Sequence, residues 1–149
     1  MQPSEIECAM MIALDTNALV RILVEDDPDQ AKTVQDIIWE AEKEGWKILI
    51  LSEVLMETVW VLESVYQCER SEIADFLDTL ISIPAYYFPD DFVVSAAVRQ
   101  YREKGDFADL IIAGKAKKHH AGMVFSFDKK FQRMFPGFVA DSVQDRNKG

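Results

Sequence analysis

The chain has 149 residues, 49% of them hydrophobic and 28% charged, with a formal net charge of −10. That length suits one domain and that apolar fraction suits a packed core, so disorder through most of the chain is excluded. The acidity is regional, because residues 1–98 carry 20 Asp/Glu against 5 Lys/Arg and residues 99–149 carry 6 against 11, a balance of −15 and then +5. No uncharged apolar run approaches the ~18 residues of a membrane helix, and two cysteines (Cys8 and Cys68) make no disulfide framework. A cytoplasmic protein with no membrane contact is expected.

Residues 1–10 read as a leader, 11–140 as the domain and 141–149 as a polar tail. Met10 and Met11 stand directly before the first apolar run, so translation starting there is an open reading. Met11–Leu14 predicts a buried strand ending at Asp15, and Thr16–Val24 a helix. After Asp26-Asp27-Pro28, a helix is expected from Pro28 to Glu44, with Gly45 as its stop. Lys47–Leu51 reads as a strand, with Ser52 placed to cap a helix Glu53–Tyr66. A helix fits Ser71–Ile81, a short strand Ala85–Phe88, and a helix from Asp90/Asp91 to Lys104 closed by Gly105. Asp106–His119 is the next helix, and Met123–Phe127 a strand that ends at Asp128. Strands alternating with helices predict an α/β, three-layer fold with a central, mostly parallel sheet flanked by helices.

Ligands in parallel α/β sheets bind beyond the carboxyl ends of strands, where Asp15 and Asp128 stand. Each is also a natural N-cap of the helix that follows. Glu57 lies mid-helix in the apolar run VLMETVWVL, where burial without a partner is costly. Asp106 is a natural N-cap after Gly105, and Asp109 follows in the same first turn. Two carboxylates ~4 Å apart repel by roughly 4 kcal/mol at an effective dielectric of ~20, so a cluster of such acids requires raised pKa values or a cation. An all-oxygen donor set suits Mg²⁺ or Mn²⁺ rather than Zn²⁺.

At these residues the sequence resembles a known family. ALDTN, METVWVLESVY, DFADLIIAGKAKKHHAG and VFSFDKKF look like the motifs of the PIN-domain nucleases, particularly their VapC-like toxin branch, in order and spacing over residues 11–138. The resemblance implies a PIN-like fold and a Mg²⁺- or Mn²⁺-dependent endoribonuclease that hydrolyses RNA with a metal-activated water. It also implies a homodimer neutralised by an antitoxin protein. Carried over by motif, Asp15, Glu57, Asp109 and Asp128 are the catalytic, metal-binding acids, Asp106 an accessory acid, and Asn17 and Ser126 supporting residues.

Lys115, Lys118, Lys129 and Lys130 are candidates to track an RNA backbone, although a helix C-terminal dipole and a solvated face are the favoured explanation of them. His119 and His120 are neighbours that face different ways and make a poor chelate, and the tryptophans Trp39, Trp46 and Trp60 with the scattered Phe and Tyr residues read as packing groups rather than base-stacking ones. The acidic residues of 25–44 and 53–91 suit a basic antitoxin segment, and residues 99–149 suit RNA. Two other readings stay open: a phospho-acceptor receiver module, and a PIN fold used only for protein binding.

Overall fold

A computed structural model describes residues 10–143. The leader and tail therefore lie outside the described residues, except for Met10 and Asp141–Val143. Two compact units divide the chain between Pro89 and Asp90.

In the first unit, β1 (Met11–Ala13) leads to α1 (Thr16–Leu23) and α2 (Pro28–Glu44). Then come β2 (Lys47–Leu49), α3 (Ser52–Ser64), α4 (Arg70–Ser82) and β3 (Tyr86–Tyr87). The strands pair in parallel in the order β1-β2-β3, with Ile12 opposite Ile48 and Leu49 opposite Tyr87. Parallel pairing needs long crossovers, and the helix pairs α1–α2 and α3–α4 provide them. Central β2 buries Ile48 completely, whereas β1 leaves Met11 half exposed. The expectation of a buried first strand therefore fails at Met11, which lies at the edge of its three-stranded sheet.

Local chemistry sets the helix ends. Asp27 accepts a hydrogen bond from the Gln30 N–H at 3.1 Å, and Pro28, which lacks an N–H, occupies the first turn. Gly45 ends α2 at φ +73°, a left-handed conformation that suits glycine. Arg21 ties the helices of this unit together, donating to Gln30 Oε1 at 2.9 Å and Asp26 Oδ1 at 2.8 Å. The expected Ser52 cap is not made. Leu51 holds the N-cap position, Ser52 is already helical, and its hydroxyl donates to Glu53 Oε1 at 2.8 Å.

The second unit contains α5 (Asp91–Glu103), α6 (Phe107–Lys118), β4 (Val124–Phe125), α7 (Lys129–Met134) and β5 (Val139–Ala140). Helices α5 and α6 close on a core of Val94, Val98, Tyr101, Phe107 and Ile111, in which the Tyr101 and Phe107 rings meet edge to face at 5.7 Å. A second cluster of Ala113, Phe131 and Val139, joined by Val124, Phe135 and Phe138, packs β4, α7 and β5. Strand β5 pairs in parallel with β4, Val124 opposite Val139. Its two residues are too short to read in the sequence.

Candidate functional site

Three of the candidate aspartates begin helices, and each is held there by backbone N–H groups. Asp15 Oδ1 accepts from the Ala18 N–H at 2.9 Å and caps α1. Asp106 Oδ1 accepts from the Asp109 N–H at 2.9 Å and caps α6. Asp128 Oδ1 accepts from the N–H groups of Lys130 and Phe131, at 2.9 and 3.3 Å, and caps α7. The capping role weighed for each of them in the sequence is therefore real. It also fixes each carboxylate through one oxygen, and among the described residues nothing bonds the other oxygen, Oδ2.

In the first unit, Asp15 is exposed and the adjacent Thr16 is buried. The Thr16 hydroxyl donates to Glu57 Oε2 at 3.1 Å, which joins the start of α1 to the middle of α3. Glu57 itself is exposed, contrary to its setting in an apolar run. Helix α3 is amphipathic despite that run: Leu55, Thr58, Val59 and Leu62 are buried, while Glu53, Glu57, Trp60 and Ser64 form a continuous exposed stripe. Thr16 is the positioning residue that the sequence reading passed over. Its signal was present, a hydroxyl residue between Asp15 and Asn17 whose helical side chain points inward. Asn17 is exposed and lines a cleft of about 280 Å³ with Ala18, Arg21, Gln30, Thr33 and Val34.

In the second unit, Asp109 is half-buried one turn into α6. Burial, and then the negative charges of Asp106 and Asp128, push its carboxyl up to about 6 from an ordinary 3.8. Ser126 organises the approach to Asp128. Its Oγ accepts from the Asp128 N–H at 3.1 Å, its carbonyl accepts from Gln132 Nε2 at 2.8 Å, and its N–H donates to the Ala140 carbonyl at 3.0 Å.

Among the described residues no three His, Cys, Asp or Glu side chains form a group set to hold a metal ion. The donor chemistry nevertheless fits a hard divalent cation. Asp106, Asp109 and Asp128 offer only oxygen atoms, and the repulsion from Asp106 and Asp128, which adds to burial in raising the Asp109 pKa, is relieved by positive charge.

The lysines proposed for an RNA backbone are largely engaged within the chain. Lys118 pairs with Asp90, whose carboxyl it holds below the ordinary range, and Lys115 lies 3.6 Å from the same carboxylate. Lys129 pairs with Asp141 at 2.7 Å, while Lys130 has no partner among the described residues. Lys117 rests over the rings of Phe135 and Phe138 at 5.2 and 5.0 Å. His119 and His120 are both exposed beyond the end of α6. Cys68 is a free thiol raised by burial, then by Glu72, and Cys8 lies outside the described residues. Among the described residues no helix is long and apolar enough to cross a membrane.

The chain is 27% identical to the VapC ribonuclease of Aquifex aeolicus (strain VF5) over 125 residues, which covers 83% of this chain and 92% of that protein. No solved structure matches it. The PIN domain family matches residues 12–135, a span that includes Asp15, Glu57, Asp106, Asp109 and Asp128, and the chain belongs to that family.

Proposed function

We propose that this protein is a divalent-metal-dependent endoribonuclease, the toxin of a toxin–antitoxin pair, acting in the cytoplasm as a homodimer. The observation that carries this reading is the placement of the motif acids. Asp15, Asp106 and Asp128 sit at helix starts with one oxygen fixed by backbone N–H groups, and Asp109 stands in the negative field of two of them. Similarity to a protein named VapC ribonuclease supports RNA as substrate, and the motif resemblance to the VapC-like toxin branch suggests an antitoxin as partner.

Asp15, Glu57, Asp109 and Asp128 would hold Mg²⁺ or Mn²⁺, with Asp106 as an accessory acid. Such an ion, when bound, polarises a phosphodiester and lowers the pKa of water. The chain's own contribution is preorganisation. Backbone N–H groups fix three aspartates so that little side-chain entropy remains to be lost, and Thr16 aims Glu57. Asn17 at the start of α1 and Ser126 beside Asp128 act as supporting polar groups.

Membership of the PIN domain family counts against a phospho-acceptor receiver, and so does the presence of Asp128, not a lysine, after β4. A PIN fold kept only for protein binding is separated by experiment. Purified protein incubated with single-stranded RNA and Mn²⁺ is expected to give fragments that EDTA suppresses. RNA left intact under both conditions would overturn the ribonuclease reading.

A further inference from the structure

Two aromatic rings stand uncovered beside Asp128. Phe125 is 58% exposed and Phe127 is 77% exposed, and the two meet edge to face with centroids 5.2 Å apart. Phe125 ends β4 and Phe127 lies two positions beyond, and the ring contact puts both on the same side, while Val124 joins the core cluster. A large apolar side chain left this open contributes little to folding, and two together ask for an external partner.

The backbone around Phe127 is pinned. The Ser126 carbonyl accepts from Gln132, the Asp128 N–H donates to Ser126 Oγ, and Asp128 caps α7. The backbone that carries the ring is thereby fixed, and the ring itself meets Phe125 edge to face. On α7, Lys130 and Arg133 are exposed, share one side at a spacing of three residues, and have no ion-pair partner among the described residues. An exposed aromatic pair is thus followed directly, on α7, by two exposed cations with no ion-pair partner among the described residues. That combination matches single-stranded nucleic acid, whose bases stack on aromatic faces while its phosphates meet Lys and Arg. A protein partner would have to supply acidic groups opposite these cations, whereas every single-stranded nucleic acid carries both base faces and phosphates.

We infer that Phe127, backed by Phe125, is a base-stacking platform for one unpaired nucleobase of a single-stranded RNA, with Lys130 and Arg133 meeting the flanking phosphates. The inference deepens the ribonuclease reading and rests on it. It assigns a substrate-binding role to a residue that the sequence suggested was a packing group. A ring one residue from Asp128 lies within a single nucleotide's reach of a phosphate at that acid, so the platform places the strand as well as binding it. Paired RNA keeps its bases stacked inside the duplex and offers this ring nothing.

The test is fluorescence anisotropy of a labelled single-stranded oligoribonucleotide with the full chain in EDTA, so that no cleavage intervenes. Phe127→Ala and Phe127→Leu are expected to weaken binding about tenfold, and Phe127→Trp to bind like the wild type. Binding by both Ala and Leu variants equal to the wild type would overturn the platform. So would rescue by Leu, which marks a plain apolar contact, or a Phe127→Ala variant that loses only self-association in sedimentation. The two readings fail separately. A chain that binds single-stranded RNA through Phe127 but leaves it intact with Mn²⁺ retains the platform and refutes the nuclease. A chain that cleaves RNA with unchanged affinity in Phe127→Ala does the reverse, and a wild type that neither binds RNA in EDTA nor cleaves it with Mn²⁺ overturns both.

Discussion

The Thr16 hydroxyl donates to Glu57 Oε2 at 3.1 Å, joining two residues 41 positions apart. Thr16 is buried and Glu57 exposed, so the bond anchors a carboxylate that would otherwise sample several rotamers in solvent. A hydrogen bond to a charged group contributes about 1.5–3 kcal/mol. Thr16→Val, which keeps the shape and removes the donor, is expected to lower the rate of RNA cleavage by roughly tenfold. Thr16→Ser should retain most of the rate. Single-turnover cleavage alongside thermal melts checks this, because a purely structural role would move the melting temperature and the rate together.

Asp109 gives the metal-free protein a pH-dependent weakness. Its carboxyl is raised to about 6, chiefly by burial and then by Asp106 and Asp128. The folded state therefore holds this proton more tightly than the unfolded state does. Its contribution to stability is complete below the ordinary value of 3.8 and is lost as pH rises through about 6. Asp109→Asn should stabilise the metal-free chain at about pH 7, and the gain should vanish near pH 4. Solvent screening at this half-buried position limits the effect to about 1 kcal/mol, or roughly 2–4 °C in Tm. Melts of both proteins in EDTA at the two pH values measure it. Added Mg²⁺ should stabilise the wild type and not the variant.

Much of the fold was legible because it rests on local chemistry. Asp27-Pro28 and Gly45 bound α2 as their backbone preferences dictate, and strands precede Asp15 and Asp128 as the apolar runs suggest, although β1 ends at Ala13 and β4 at Phe125, short of the ends of those runs. What escaped depended on contacts remote in sequence. The Thr16–Glu57 bond is invisible to periodicity. Three of the four candidate lysines are engaged by acids far along the chain, Lys115 and Lys118 by Asp90 and Lys129 by Asp141, and only the packed structure brings those partners together. Strand β5 is two residues long and carries no alternation to read. Glu57 lies on an exposed stripe and not in the apolar interior that its flanking residues suggest.

Thr58 is a stability defect beside that stripe. It is fully buried on α3, and its hydroxyl has no hydrogen-bond partner among the described residues. Leaving a buried hydroxyl unpaired costs about 1–3 kcal/mol. Thr58→Val fills the same volume without the polar atom and should raise stability by about 1 kcal/mol, with RNA cleavage unchanged. Chemical denaturation of the two proteins decides it, and a lower midpoint for the variant would mean that the hydroxyl is paired in solution.

Gly114 of α6 faces Val93 of α5 at close range. A Cβ there would stand 2.7 Å from Val93 Cγ1, and the branched valine cannot yield freely. Overpacking costs roughly 1–3 kcal/mol and exceeds the ~1 kcal/mol that alanine gains in helix propensity. Gly114→Ala is expected to lower Tm by a few degrees, about 2–4 °C per kcal/mol, and Val93→Ala in the same chain should recover part of the loss.

Asp15, Glu57, Asp109 and Asp128 are proposed to serve one metal-dependent cleavage reaction. Single-turnover cleavage of a single-stranded RNA with Mn²⁺, run on Asp15→Asn, Glu57→Gln, Asp109→Asn and Asp128→Asn with melts to confirm folding, tests it most directly. Each variant is expected to fold and to lose at least about a hundredfold in rate, the scale of removing one charge-stabilising group from a catalytic site. Wild-type rates in any folded variant would remove that acid from the mechanism, and wild-type rates in both Asp15→Asn and Glu57→Gln would contradict the claim as a whole.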